Sequence, residues 1–317
     1  MPKTKNMNAF VLVILAMVLY GTNAVALKYA SQSMDPIAYA ALRSLFIGAI
    51  LLVFVKTVSK IISVKIILKL LPGVMMIAAF FALNALGVSE SGALKASILS
   101  LTIPVYVYIY AVTLLHEPVI KRILFGGILT LIGSILLVGL PILFGYSLLL
   151  SDLLLLASYA FIAGAIVHGK YTFKWLTTNE MLSMRFFLSG IVLSSYVLIF
   201  MGPETFTIGD GGAWLVLLYA ITISGIIGNT LYYRGLSKLK AEQTAPLLYL
   251  DPMTGTLLAT LLLGEQLELI AAFGVVIIIT GVFISYPHHH HVLFNYLHPS
   301  KDHIRRILHR VIHPLRG

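Results

Sequence analysis

Ten runs of mostly apolar residues, each close to the roughly 20 residues that a helix needs to cross a bilayer, constrain this chain more than any other feature. They lie near Phe10–Leu27, Ile37–Val55, Leu70–Val88, Ala96–Leu115, Ile123–Leu140, Leu153–Val167, Met181–Met201, Ala213–Tyr233, Gln243–Leu263 and Leu269–Tyr286. The sixth is the shortest. Lys3 and Lys5 precede the first run as in a signal peptide, but no small-residue cleavage site follows. Only 11% of the 317 residues are Asp, Glu, Lys or Arg, against roughly 25% in an ordinary soluble domain. With 59% hydrophobic residues and a mean hydropathy of +0.97, the chain cannot cover its apolar surface and takes lipid as its solvent. The expected fold class is an all-α membrane protein of ten transmembrane helices. There is no cysteine, which excludes disulfides, thiol catalysis and Cys-ligated zinc.

A net charge of +10 would point to nucleic acid in a soluble protein, but the placement of the charges gives a different account. Eighteen of the 22 basic residues gather at the amino end, on alternate loops and in the tail. They are Lys3 and Lys5; Lys56, Lys60, Lys65 and Lys69; Lys121 and Arg122; Lys170 and Lys174; Arg234, Lys238 and Lys240; and Lys301, Arg305, Arg306, Arg310 and Arg316. The other loops carry Asp35, Glu90, Asp152, Glu204, Asp210, Glu265 and Glu268. The positive-inside rule makes the basic face cytoplasmic. Both termini then lie inside, as an even number of spans requires.

The two halves resemble each other. A shift of 148 places Gly87 on Gly235, Ser89 on Ser237, Pro104 on Pro252, Glu117 on Glu265, Gly126 on Gly274 and Gly133 on Gly281. Nearer the start a shift of 142 places Lys28 on Lys170, Tyr29 on Tyr171, Arg43 on Arg185 and Gly48 on Gly190. Each copy holds five spans, so the second enters the membrane upside down. The expected division is 1–148 as the first five-helix repeat, 149–286 as the inverted second, and 287–317 as a cytoplasmic tail. Inverted repeats offer two related packings that open a central site to opposite sides. A duplicated scaffold without transport is the plainer alternative.

These residues resemble the EamA-type members of the drug/metabolite transporter superfamily. The second copy reads Pro252 through Leu262-Leu263-Gly264-Glu265, and the first reads Pro104 through Leu114-Leu115-His116-Glu117, with His where Gly is usual. Tyr20-Gly21 stands where Trp-Gly is common in the first helix. The resemblance covers about residues 8–286. It implies a multi-pass protein of the cell (plasma or inner) membrane that exports amino acids or related metabolites. Exchange of sugars or nucleotide sugars is the close alternative; an intramembrane enzyme or lipid-handling protein is another.

Pro104 and Pro252, in the middle of their spans, free the carbonyls of Ser100 and Leu248. A kink lining a substrate path and a packing kink are the two readings. Helix four presents Lys95, Leu99, Thr102, Tyr106 and Thr113 at three- and four-residue spacing. Helix nine offers Gln243, Thr244, Tyr249, Asp251 and Thr254. With Tyr20, Asn23, Asn84, Tyr159, Asn229, Tyr232 and Tyr233 they make an apolar cavity with a few polar points, suited to a small organic substrate. Interfacial or helix-packing tyrosines are the alternative. Charges inside spans cost at least about 2.5–3.5 kcal/mol unless paired or wet. Arg43 and Arg185 are repeat mates and are read as structural. Asp251 has no acidic mate, since Ile103 holds that place. It is therefore the first candidate for a proton-carrying group, with a salt bridge to an arginine or Lys95 as its rival. Glu117 and Glu265 precede helices five and ten and are read as structural, helix-capping carboxylates.

In the tail, His288–His291 offer poor metal geometry. Ile304, Ile307, Leu308, Val311, Ile312 and Leu315 form an apolar stripe flanked by arginines, a basic amphipathic helix suited to anionic lipid. The chain shows no phosphate-binding loop, no G-x-S-x-G and no H-E-x-x-H, so no enzyme, cofactor or metal is expected. The expected partners are a small-molecule substrate, the bilayer, anionic lipid, a coupling proton and a second copy in a homodimer, and not nucleic acid.

Overall fold

The computed structural model describes residues 2–30, 33–55, 61–91, 99–138, 150–207, 211–255 and 269–285. All regular structure among them is helical. In chain order the helices are α1 (Pro2–Ala30), α2 (Pro36–Val53), α3 (Val64–Ser91), α4 (Ile103–Leu114), α5 (Lys121–Val138), α6 (Leu150–Thr172) and α7 (Thr178–Phe200). Then come α8, continuous over Gly211–Lys238, α9 over residues 241–255, and α10 (Leu269–Ser285). Five of them, α2, α3, α6, α7 and α8, are long and apolar enough to cross a membrane.

Local signals set several of the ends. Asp35 caps α2, accepting from the amides of Ile37 (2.8 Å) and Ala38 (3.0 Å), with Pro36 in the first turn where its missing N–H costs nothing. Thr177 and Glu180 close a capping box at the start of α7. The sixth span is longer than its hydropathy indicates. It has 23 residues, because Ser151, Asp152 and Thr172 at its ends are buried against protein and need no lipid-compatible side chain.

One expectation about proline needs correction, and the other gains detail. Pro104 is not in the middle of a helix: residues 101–102 form a turn, and α4 starts afresh at Ile103. In α9, residues 245–249 are 3₁₀-helical, Pro246 opens that stretch, and Pro252 falls in the first turn of the α segment that follows. A proline lacks an N–H to give and is tolerated best in a first turn. The helix is therefore interrupted by a turn before Pro104, whereas before Pro252 it stays continuous and changes from 3₁₀ to α.

The most extensive pairings are α5 with α10, α2 with α7, α3 with α6, and α1 with α8. Replacing each position by its mate in the other half turns the first two pairs into themselves and exchanges the last two. Individual contacts obey the same rule. A Cβ on Gly48 would lie 2.2 Å from the backbone nitrogen of Phe187, and one on Gly190 would lie 2.4 Å from that of Leu45. Gly87 is pressed against Leu155 and Ser151, while its mate Gly235 is pressed against Val13 and Ala9, the mates of those two. Gly126 meets the Gly281 carbonyl, and Gly133 meets that of Gly274. In α2/α7 and in α5/α10 the numbers rise along one helix as they fall along the other, so these mates run antiparallel.

Candidate functional site

Helix α8 changes hydrogen-bonding pattern halfway. It is α-helical to Tyr219, π-helical over Ala220–Gly228, and α-helical again from Asn229. A π stretch widens the turn and loosens the carbonyl ladder, and such stretches are frequent at functional sites. Polar groups from α1 and α2 converge on it. The Arg43 Nε donates to the Ala220 carbonyl (3.3 Å), and its Nη2 donates to Ser224 Oγ (3.1 Å) and Asn23 Oδ1 (3.4 Å). Ser224 Oγ donates to Asn23 Oδ1 at 2.5 Å. Tyr20 donates to Asn229 Oδ1 (2.9 Å), and Asn229 Nδ2 donates to the Gly225 carbonyl (2.7 Å). Tyr219 donates to Thr22 (2.6 Å) along the same seam.

Helix α9 approaches from the other side. At Gly21 a Cβ would stand 2.7 Å from Thr254 Cβ and 2.9 Å from the Asp251 carbonyl oxygen, so only hydrogen fits there. That crossing brings Asp251 into electrostatic range of the Tyr20 hydroxyl. Asp251 is half-buried, and among the described residues no hydrogen bond or ion pair engages its carboxylate. The Tyr20-Gly21 pair thus sets one side chain on α8 and clears room for α9.

A second group forms on α3, α4 and α6. Asn84 Nδ2 reaches the Tyr159 hydroxyl at 3.5 Å, and Tyr106 packs on the Leu155–Tyr159 pair and stacks with Tyr110 at 6.4 Å. Thr102 turns its hydroxyl back to the Leu99 carbonyl (2.7 Å). Tyr249 is buried in the 3₁₀ stretch of α9, and Thr244 at its start is sealed completely. Tyr232 and Tyr233 meet edge to face at 5.1 Å; Tyr20 lies 6.2 Å from the Tyr232 ring.

The two arginine mates differ. Arg43 is half-buried, whereas Arg185 is fully buried. Arg185 donates to the Ala165 carbonyl (2.7 Å), where the first copy has the Asn23 amide, and its guanidinium sits 5.7 Å from the Tyr233 ring centre. Its Nε and the neighbouring His168 Nδ1 have no partner among the described residues. Glu117 receives the Ala241 N–H at 3.0 Å, so the amide it caps belongs to α9, in the other half of the chain. Lys95, Glu265 and His288–His291 lie outside the described residues. A separate cavity of about 500 Å³ opens among Phe54, Val55, Thr177, Asn179 and Arg234, away from these groups. No cluster of three or more His, Cys, Asp or Glu forms a metal site among the described residues.

The sequence model of the EamA-like transporter family matches residues 7–139 and again residues 149–286. The chain belongs to the EamA-like transporter family. It is a multi-pass membrane transporter, with the same family pattern in each half. An "uncharacterized transporter" of Clostridium kluyveri is 24% identical over 301 residues, which is 87% of this chain and 92% of that one. One solved crystal structure superposes with a TM-score of 0.76 at 16% identity, covering 93% of this chain and 99% of its own, and shares the fold. Ser224, Thr22 and Tyr219 join the polar seam although sequence reasoning passed over them. The run Ser224-Gly225 and Gly228-Asn229, small residues beside an amide, was the available signal.

Proposed function

We propose that this chain is a secondary carrier that exports amino acids or related small metabolites by alternating access. Its ten helices form two inverted five-helix repeats, 1–148 and 149–286, with both termini on the cytoplasmic face of the plasma or inner membrane. The observation that carries this reading is the exchange of contacts between mates, with α2 antiparallel to α7 and α5 antiparallel to α10. A pseudo-twofold axis across the helices is what an inverted repeat requires, and it supplies two packings of similar energy. Tyr20, Asn23, Arg43, Asn229 and Asp251 would meet a substrate bearing both polar and apolar parts.

Radiolabelled flux in proteoliposomes, with and without a pH gradient, tests the proposal. Saturable amino-acid flux driven by a proton gradient is the expected result. Saturable flux of sugars or nucleotide sugars alone would overturn the substrate class, and no carrier-dependent flux of any of these would overturn the reading as a whole.

The tail, residues 287–317, lies outside the described residues; from its sequence alone we propose that its basic amphipathic stripe binds anionic lipid. Deleting residues 292–317 should leave the core folded and reduce the anionic lipid that copurifies, measured by mass spectrometry of the extracted lipid. Loss of membrane insertion on deletion would place the tail in the core instead.

A further inference from the structure

The cavity of about 500 Å³ lies where three spans end. Phe54 and Val55 follow the last residue of α2, Thr177 caps α7, and Arg234 stands one turn before the end of α8. Lys56, Lys174 and Lys238 mark all three ends as belonging to the basic face. Helix ends at a membrane face lie at the level of the lipid headgroups.

Opposite charges line this space. Arg234 is exposed, and among the described residues no hydrogen bond or ion pair engages its guanidinium. Glu180 lines the same cavity and is 8% exposed, with its Oε2 taking the Thr177 N–H at 2.7 Å. A carboxylate can accept several such bonds at once. Thr178 and Asn179 add a hydroxyl and an amide that meet no partner among the described residues. On the α2 side the surface is apolar, with Val53 80% exposed and Phe54 63%. The duplication did not supply the charged pair. Leu86 is the mate of Arg234 and Ala38 is the mate of Glu180, so the first copy has neither charge at these places.

A guanidinium grips a phosphate through two parallel bonds. A primary ammonium donates three bonds, to a carboxylate and an amide oxygen among others. We propose that this cavity binds the headgroup of phosphatidylethanolamine, with the phosphate on Arg234, the ammonium toward Glu180 and Asn179, and the acyl chains over Phe54 and Val53. The site is separate from the polar seam of α8. It calls for a zwitterionic lipid, whereas the tail calls for an anionic one.

Full-length protein stripped of lipid in detergent is titrated with phosphatidylethanolamine, and bound lipid is followed by native mass spectrometry. Saturable binding is expected, with a rise in melting temperature, since a ligand that binds only the folded state stabilises it. Arg234→Gln should weaken binding about ten-fold, the equivalent of about 1.4 kcal/mol. Phosphatidylcholine keeps the phosphate but has no N–H, and should bind the wild type more weakly than phosphatidylethanolamine. Lys238→Gln removes a charge from the same face outside the cavity, and should leave the affinity near that of the wild type. If Arg234→Gln does not fold, Asn179→Ala makes the same test with a smaller loss. Unchanged affinity in Arg234→Gln overturns the site, as does equal weakening by Lys238→Gln, which would mean diffuse attraction. Equal binding of the two lipids overturns the ammonium contact and the choice of lipid. An equal rise in melting temperature with water-soluble glycerophosphoethanolamine or with alanine would make the cavity a site for soluble zwitterions, and would overturn the lipid.

Discussion

Replacing Gly48 by leucine should abolish the folded protein. The Cβ alone would stand 2.2 Å from the Phe187 nitrogen and 2.4 Å from its Cα, both backbone atoms that cannot rotate away. The α2 and α7 backbones would have to separate along one of the most extensive contacts in the molecule. Overpacking of a core side chain costs about 1–3 kcal/mol, and a clash of two backbones lies at or beyond the top of that range. That is a large part of the whole stability of a typical domain. Gly190→Leu should do the same, since its Cβ would meet the Leu45 backbone at 2.4 Å. Gly211→Leu is the control, because nothing lies within 4 Å of a Cβ there. Size-exclusion profiles and thermal melts in detergent measure the outcome. A monodisperse Gly48→Leu protein with an unshifted melting temperature would disprove the α2/α7 crossing.

The second large effect is expected at Asp251. It is the one acidic residue well inside a span by sequence, and among the described residues no ion pair engages its carboxylate, which lies in electrostatic range of Tyr20. A lone carboxylate at that depth is costly unless it is wet or protonated, and either condition suits a site on the transport path. Asp251→Asn keeps the size and most of the hydrogen-bonding capacity while removing the charge. Flux driven by a pH gradient should fall to background, while substrate exchange at equal pH and the melting temperature stay close to wild type. A drop of several degrees that is restored by neutralising an arginine would instead identify a salt bridge. Unchanged flux at every pH with unchanged stability would make Asp251 a bystander.

The residues differ in how far they announced these roles. The glycines at 48, 87, 126 and 133 were visible as repeat mates, and each sits at a helix crossing because only a missing side chain lets backbones approach so closely. Tyr20-Gly21 stood out as a pair; Tyr20 bonds Asn229 on α8 and Gly21 lets α9 approach closely. The π stretch of α8 was not legible. It depends on which carbonyl each N–H meets, and residues 220–228 are about as apolar as the α-helical residues 211–219 before them. The length of α6 was hidden because hydropathy sums side chains without knowing that Ser151, Asp152 and Thr172 are covered by protein. Glu117 signalled a cap through its place before α5. Its partner at Ala241 is 124 residues away, and only the fold brings the two together.

The π stretch has a kinetic consequence. A carrier made from two identical halves would spend equal time facing each side when empty. Here α8 is π-helical over Ala220–Gly228 while α3, its mate, is plain α-helix. Asn23 and Ser224 serve Arg43, whereas Arg185 finds the Ala165 carbonyl. On the alternating-access reading proposed above, the two facings therefore differ in energy, and the unloaded protein would have a resting side. Such a carrier shows different half-saturation concentrations on its two faces with compensating maximal rates, so that it equilibrates a neutral solute fully yet works faster in one direction than in the other.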